Sequence, residues 1–190
     1  MSDVVFTTAR LAMLDFRATD LDEVRRMWHE PDVARYMDDA PKSGTESGQW
    51  LAQVIHHNGL HPRVAYNLAI TVCGVDRAIG WVGFGPSEHD RLGGTYGVGY
   101  LLDSAHWRQG YMSEVLPGVA AYVFNHLAGT RLAAWCYADN VASARTLEKA
   151  VFTLVRTHRQ IRAGVGEAVC LDYELLAESF VTADVSGSNA

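Results

Sequence analysis

Apolar residues recur at two different spacings along the chain, and the change of spacing separates helical from extended stretches. After Asp20 and again after Ser43, apolar side chains return every three to four residues, which predicts two amphipathic helices. Glu23 and Glu46 stand three residues after these two polar residues, the spacing of a helix N-cap pair. Gly59 marks the end of the second helix.

The sequence predicts seven strands, and apolar side chains alternate along two of them, at residues 64–72 and 96–102. We place them at residues 10–17, 64–72, 78–84, 96–102, 132–137, 152–158 and 168–176. Two further helices are predicted between them, at residues 112–123 and 140–149. A meander of three strands followed by crossovers is typical of an α+β fold with a mixed sheet. We expect one domain over residues 1–182 and a disordered tail at 183–190, which is rich in small and polar residues.

Composition narrows the class of protein. The 190 residues are 48% hydrophobic and 20% charged, which fits a folded globular domain. Sixteen Lys and Arg against 22 Asp and Glu give a net charge of −6, which argues against a nucleic-acid partner. The three cysteines lack the spacing of a zinc cluster or a disulfide framework. Without an apolar run long enough for a membrane span, or a signal-peptide pattern, we expect a cytoplasmic protein with no membrane partner.

Several catalytic motifs are absent from the sequence. It contains no Walker phosphate loop, no Gly-x-Gly-x-x-Gly dinucleotide motif and no Gly-x-Ser-x-Gly nucleophile elbow. His56, His57 and His61 are the one histidine cluster, and a metal-dependent enzyme is therefore an alternative. Their spacing is not that of known metal sites, and solvent-facing histidines at a helix end explain them better, so we expect no metal.

A short segment between a predicted strand and a predicted helix carries the strongest chemical signal. It contains Arg108, Gln109 and Gly110, with Glu114 one turn inside the helix. The unpaired amides at a helix N-terminus attract anions, Gly110 allows close approach and Arg108 adds a positive charge. The segment is therefore compatible with a pyrophosphate site, and equally with an ordinary turn into a helix.

In this segment and beyond it, the chain resembles the GCN5-related N-acetyltransferases, and among them the RimJ/RimL-type ribosomal-protein N-terminal acetyltransferases. The resembling strings, in order along the chain, are Thr8-Ala-Arg-Leu11, Pro31-Asp-Val-Ala-Arg-Tyr-Met37, Ile79-Gly-Trp-Val-Gly-Phe84, Trp107-Arg-Gln-Gly110-Tyr-Met112, Asn140-x-x-Ser143-x-Arg145-x-Leu147-Glu148-Lys149-x-x-Phe152 and Asp172-Tyr173. Three residues depart from the expected pattern. Met112 replaces a small residue, Val151 stands where the family has Gly, and Pro117 lies inside a helix that we expect to bend near Ser113.

The resemblance implies a fold, a co-substrate and a set of binding residues. The fold is a single-domain α+β one with a central, mostly antiparallel seven-stranded sheet, whose parallel strands 96–102 and 132–137 splay apart, flanked by helices. Acetyl-CoA fills the gap as co-substrate, and a primary amine attacks its thioester directly. The residues implied to bind acetyl-CoA are the main chain of Leu101 and Leu102, the pyrophosphate-binding Arg108, Gln109, Gly110, Tyr111 and Met112, and Asn140 with Ser143.

The resemblance also suggests Ser143 as the catalytic group that protonates the departing thiolate. No general base is assigned. The family's strand glutamate is replaced in the stretch around Tyr96, and Glu88, His89 and Asp90 fit a solvated charge cluster better.

The acceptor is expected to be a protein or peptide N-terminus or a small amine, and the protein a homodimer. A non-catalytic acyl-CoA-binding or regulatory module of the same fold is the alternative function.

Overall fold

The computed structural model describes residues 4–38, 41, 43–87, 90, 93–162 and 164–180. The chain divides into two compact units. The first unit comprises Met1–Gly85 and Gly99–Met112, and the second comprises Pro86–Val98 and Ser113–Ala190. Two boundaries therefore fall within strands and a third within the first turn of a helix, and neither unit is a continuous stretch of sequence.

The first unit is built on an antiparallel meander. Its strands are β1 (Val4–Thr7), β2 (Leu11–Asp15), β3 (Tyr66–Val72) and β4 (Ala78–Pro86). Met13 lies opposite Ile70, and Leu68 lies opposite Val82, and all four side chains are fully buried. The alternation in the sequence puts these side chains on one face of the pleated strands, so burial of that face fixes the register.

Three helices of the first unit lie between β2 and β3, namely α1 (Leu21–His29), α2 (Pro31–Ala34) and α3 (Gly44–Asn58). Their apolar faces pack in a core cluster that includes Trp28, Leu51 and Ala78. The Ser43 hydroxyl accepts a hydrogen bond from the Glu46 amide at 3.1 Å, which confirms the predicted cap of α3. Asp20 precedes α1 as predicted, but its carboxylate accepts from the Arg17 amide and guanidinium instead of capping α1.

The second unit contains the parallel pairing. The start of β5 (Thr95–Leu102) runs parallel to β6 (Arg131–Tyr137), with Tyr96 opposite Leu132. The long strand β8 (Gly166–Leu176) lies antiparallel to β6, and β7 (Thr153–Arg162) pairs with the other edge of β8. The helices are α4 (Tyr111–His126), whose first two residues belong to the first unit, and α5 (Val141–Lys149).

The strand order β1-β2-β3-β4-β5-β6-β8-β7 confirms the predicted α+β fold with a mixed, mostly antiparallel sheet. The sheet has eight strands where seven were predicted. The additional strand is β1, which has four residues and no buried side chain, so it is too short to show an apolar pattern.

Pro117 lies within α4, which continues through it, and the bend near Ser113 stays a prediction. The single-domain boundary at residue 182 also stays a prediction, and the tail at 183–190 lies outside the described residues. Within the described ranges, no helix is both long and apolar enough to cross a membrane.

Candidate active site

The last two residues of β5 have buried side chains, and one of their main-chain carbonyls already accepts a hydrogen bond. Leu101 and Leu102 are 4% and 7% exposed. The Leu102 carbonyl accepts a hydrogen bond from the indole N–H of Trp107 at 2.7 Å. Only 2.7 Å would separate the Leu101 carbonyl from a Cβ at position 80, so Gly80 of the neighbouring strand is required there. Close packing on one side thus fixes the main chain that was predicted to bind the pantetheine arm.

The β5–α4 loop, residues 103–110, turns twice through left-handed backbone conformations. Arg108 has φ 61° and Gly110 has φ 77°. Glycine adopts this conformation freely, whereas an arginine there costs about 1–2 kcal/mol. The loop exposes Arg108, Gln109 and Gly110 to solvent directly before the first turn of α4. The first amides of an α-helix have no intrahelical acceptor, so this segment presents hydrogen-bond donors and a positive charge together.

Arg10 contacts the same loop from the turn between β1 and β2. Its Nη1 donates to the Gln109 carbonyl at 3.0 Å, and its guanidinium carbon lies 4.7 Å from the centre of the Tyr111 ring. The sequence analysis did not single out this residue because 99 positions separate it from Gln109. Its place in the resembling string Thr8-Ala-Arg-Leu11 was the one available signal.

Helix α1 holds the beginning of the β5–α4 loop through two side chains. The Asp103 carboxylate is buried, pairs with Arg26 and accepts from the Ala105 amide at 3.1 Å. Directly after α1, the carboxylate of the C-cap residue Glu30 accepts hydrogen bonds from the amide and the hydroxyl of Ser104. Arg26 lies in the last turn of α1, so both side chains belong to the end of this helix. The end of α1 thus anchors the loop.

His106 lies in this anchored segment with its Nδ1 atom 3.6 Å from the Asp103 carboxylate. Burial lowers the pKa of His106, and the nearby positive charges of Arg26 and Arg77 lower it further. The imidazole is therefore neutral at neutral pH, and it adds no positive charge to the loop.

In the second unit, Asn140 and Ser143 belong to the start of α5. The Asn140 side-chain oxygen accepts from the Ser143 amide at 3.2 Å and so caps the helix. The Asn140 amide donates to the Tyr137 carbonyl at 2.9 Å, which ties the cap to the end of β6. The spacing of Asn140 and Ser143 in the sequence thus has a direct structural cause.

The Ser143 side chain is half-buried and hydrogen-bonds the thiol of Cys136. Burial raises the pKa of Cys136 to about 11, and the bond from Ser143 opposes that rise. Behind them, the Tyr173 hydroxyl donates to the Glu148 carboxylate at 3.2 Å. Burial and this bond raise the pKa of Tyr173 to about 12. The Cys136 thiol beside the serine therefore stays protonated at neutral pH.

The predicted site residues form two groups. Leu101, Leu102 and residues 108–112 lie together in the first unit, and Asn140 lies with Ser143 in the second. Glu88 and His89, considered as a charge cluster, lie outside the described residues. Asp90 accepts from the amides of Gly93 and Thr95, so its carboxylate stabilises the turn before β5.

A metal site finds no support in the described part of the chain. No group of three or more His, Cys, Asp or Glu side chains there is arranged to hold a metal ion. The rings of His56 and His57 are tilted by 53° to each other, with centroids 5.7 Å apart, at the end of α3. All three cysteines are free, and Cys73 alone among them is exposed.

Comparisons with known proteins agree with this architecture. The family described as the acetyltransferase (GNAT) domain matches residues 10–153. The uncharacterized N-acetyltransferase p20 of Bacillus licheniformis is 28% identical over 145 residues, which is 76% of this chain and 80% of that protein.

Two solved structures illustrate the similarity of fold. The ribosomal-protein-S5-alanine acetyltransferase of Vibrio fischeri superposes with a TM-score of 0.77 at 17% identity, covering 94% of this chain and 99% of that one. AAC(6')-Ib in complex with paromomycin and acetyl-CoA has a TM-score of 0.73 at 16% identity, covering 95% and 99%. With the fold, the loop before α4 and the family match in agreement, the chain belongs to the GNAT family and is a GNAT-type acetyltransferase.

Proposed function

We propose that the chain transfers the acetyl group of acetyl-CoA to a primary amine. The observation that carries this proposal is the β5–α4 loop, in which left-handed Arg108 and Gly110 present backbone amides and a guanidinium at the start of α4. This combination fits a pyrophosphate, since two adjacent negative groups need several donors within a small volume.

The predicted binding residues then take distinct roles. Arg108, Gln109, Gly110, Tyr111 and Met112 bind the pyrophosphate, Arg108 through its charge and the others through main-chain amides. The Gln109 side chain already donates to the Ala105 carbonyl at 3.2 Å. The group of Gln109 proposed for the ligand is therefore its main-chain N–H. The main chain of Leu101 and Leu102 binds the pantetheine arm. Since Trp107 takes the Leu102 carbonyl, the amides are the groups suited to the ligand.

Asn140 and Ser143 are assigned to the thiol end of the same ligand. The cap made by Asn140 orients the first turn of α5 and thereby the Ser143 hydroxyl. Cys136 remains a thiol at neutral pH because its pKa is about 11, so no thiolate beside Ser143 holds the serine proton. The serine proton is then available for the sulfur that leaves.

The reaction forms a bond between the amine nitrogen and the acetyl carbon and breaks the thioester carbon–sulfur bond. Acetyl-CoA supplies the activated acyl group, so the chain's residues need to position the reactants and move protons. The amine must lose one proton, and Ser143 gives one to the thiolate and is reprotonated from solvent. A covalent acyl-enzyme is not part of the proposal, since the protonated Cys136 is a poor nucleophile. The amine therefore attacks directly, within a ternary complex.

The acceptor is proposed to be a protein or peptide N-terminus or a small amine. Support comes from the RimJ/RimL-type strings in the sequence and from the two similar folds named above, one named for a ribosomal protein and one holding paromomycin. The homodimer and the cytoplasmic location stay predictions.

A thermal-unfolding panel tests the proposal. The chain is heated with acetyl-CoA, CoA, ATP, NAD or zinc, each in excess. A ligand at 100 times its dissociation constant stabilises the folded state by about 2.7 kcal/mol. We expect acetyl-CoA and CoA to raise the unfolding temperature and the other three to leave it unchanged. A response to zinc, or an equal response to ATP and NAD, would contradict the proposal.

A non-catalytic acyl-CoA-binding module is the second candidate. The described β5 contains no acidic residue, so it offers no carboxylate as a general base. Free-thiol release from acetyl-CoA, measured with N-terminal peptides, polyamines and aminoglycosides, separates enzyme from binder. Release with any of them, reduced in Ser143→Ala at unchanged acetyl-CoA affinity, supports the enzyme. Silence with every amine in a protein that binds acetyl-CoA supports the module.

A further inference from the structure

We propose that Arg10 is a positioning residue for the pyrophosphate, because it holds the Gln109 carbonyl and thereby directs the Gly110 amide toward the ligand. The inference rests on the proposed function, since it concerns the same loop. It adds a residue from the β1–β2 turn, outside the residues proposed above to bind acetyl-CoA.

The backbone around Arg10 is fixed by its neighbours. The Thr8 amide donates to the Leu11 carbonyl at 2.8 Å, and the Leu11 amide donates to the Thr8 hydroxyl at 3.3 Å, which closes a tight turn. The Arg10 carbonyl accepts from the Cys73 amide at 2.9 Å. The Arg10 side chain thus extends from a rigid backbone, which lowers the entropic cost of holding its guanidinium in one place.

Peptide geometry links the Arg10 contact to the Gly110 amide. The Gln109 carbonyl and the Gly110 N–H belong to one planar trans peptide, so they point in opposite directions. When Arg10 holds the oxygen at 3.0 Å, the N–H is turned to the other side. A positive charge on the carbonyl also polarises the peptide and makes that N–H a stronger donor. This peptide rotates through ψ of Gln109 and φ of Gly110, and the glycine would otherwise allow that rotation.

Two further contacts keep the guanidinium at the loop. Its carbon lies 4.7 Å from the centre of the Tyr111 ring, within the range of a cation–π interaction. Its Nη2 atom would lie 3.6 Å from a Cβ at position 110, so it covers one face of Gly110 in ordinary contact. Arg10 therefore contacts three consecutive residues, Gln109, Gly110 and Tyr111. A residue that only joined the β1–β2 turn to α4 would have the same contacts but no selective effect on phosphate-bearing ligands.

The test compares ligands with and without the pyrophosphate. Dissociation constants of CoA and of pantetheine are measured by calorimetry for the wild-type chain and for Arg10→Ala. We expect about a tenfold loss of CoA affinity in Arg10→Ala, the effect of one charge-assisted hydrogen bond, and less than about a twofold change for pantetheine. In the ligand-free chain, the amide resonance of Gly110 should also shift between the two proteins.

Arg10→Lys and Arg159→Ala serve as controls. Arg10→Lys keeps a charged donor for the Gln109 carbonyl and should recover most of the CoA affinity. Arg159→Ala removes an exposed arginine that pairs with Glu167 in the β7–β8 hairpin, and it should bind CoA as the wild type does. If Arg10→Ala fails to fold, Arg10→Gln keeps a neutral donor at the same position, and intermediate CoA affinity with unchanged pantetheine affinity supports the inference.

The outcomes separate this inference from the proposed function. Wild-type CoA binding with unchanged affinity in Arg10→Ala overturns the role of Arg10 and leaves the proposed function standing. Equal losses for CoA and pantetheine, or a Gly110 resonance that does not move, also overturn it. A wild-type chain that binds no CoA contradicts the proposed function itself.

Discussion

Arg108 combines a charge suited to phosphate with a backbone conformation suited to glycine. Its φ of 61° is one that a side chain disfavours, and the same side chain is exposed to solvent. At this position stability favours glycine, whereas phosphate binding favours arginine, and such backbone strain is typical of functional sites. A pair of substitutions separates the two demands.

We predict that Arg108→Ala and Arg108→Gly both weaken CoA binding by about 1.5–3 kcal/mol, because both remove the charged donor. Arg108→Gly should in addition stabilise the ligand-free chain by about 1 kcal/mol, since glycine adopts a positive φ without strain. Calorimetry with CoA and urea unfolding measure the two effects. Unchanged CoA affinity in both variants would remove Arg108 from the site.

The raised pKa of Cys136 predicts that the free energy of unfolding depends on pH. Burial raises its pKa from 9.0 to about 11, so the unfolded chain releases the thiol proton first as the pH rises. The stability from the protonated thiol is fully present below pH 9 and is lost as the pH rises toward 11. We expect the urea midpoint of the wild type to fall between pH 8 and pH 10, with a contribution from Cys136 of at most about 1 kcal/mol.

The Cys136→Ala variant should lose less stability over the same pH interval, although it is less stable at pH 8 because a buried group is missing. Cys73→Ala, at an exposed position, should keep the wild-type dependence. Identical pH profiles for the wild type and Cys136→Ala would contradict the prediction.

At the scale of the element, α5 ends in a Schellman motif that lacks its glycine. The Phe152 amide donates to the Leu147 carbonyl at 3.0 Å, and the Val151 amide donates to the Glu148 carbonyl at 3.1 Å. Val151 has φ 58°, a conformation in which a β-branched residue is strained. The sequence departure from the family's Gly thus leaves the turn intact and costs stability instead.

We predict that Val151→Gly stabilises the chain by about 1 kcal/mol in urea unfolding, since Val151 is 47% exposed and loses little packing. Val141→Gly is the matched control, because Val141 is 51% exposed at the other end of the same helix. There the backbone is right-handed helix, and glycine should destabilise. A loss of stability in Val151→Gly would show that packing outweighs the backbone strain.

Elements with strong local signals were predicted from sequence, and elements without them were not. The Ser43 cap, the end of α3 at Asn58 and the alternating strands β3 and β5 follow from neighbouring residues. The four-residue helix α2 and the half-exposed β1 have no period long enough to detect. Asp20 stands at the predicted N-cap position, but the predicted side-chain cap was wrong because Arg17 binds its carboxylate.

For the whole molecule, the contacts that shape the loop before α4 join distant parts of the sequence. Arg26 pairs with Asp103, and Glu30 binds Ser104 across 74 positions. No pattern of neighbouring residues in the sequence predicts such partners. The loop could therefore be identified from Arg108 and Gly110, whereas the residues that hold it in shape required the fold.

We predict that a fragment of residues 1–94 folds poorly, because the first unit also needs residues 99–112. The fragment lacks Asp103, whose amide bonds the Ile79 carbonyl and whose carboxylate pairs with Arg26. A fragment of residues 1–112 contains the whole unit and should protect the amides of α1 and β3 from hydrogen exchange more strongly. Equal protection in both fragments would show that the segment after Gly99 is dispensable for folding.

The hydrogen bond from the Cys73 amide to the Arg10 carbonyl has a practical consequence. Cys73 is exposed whereas Cys136 and Cys170 are buried, so a thiol-reactive dye should attach to it selectively in the folded chain. The dye would then be attached next to the backbone of Arg10, the residue that we propose positions the pyrophosphate. Its emission could report each arrival and departure of coenzyme A in real time, with no engineered cysteine.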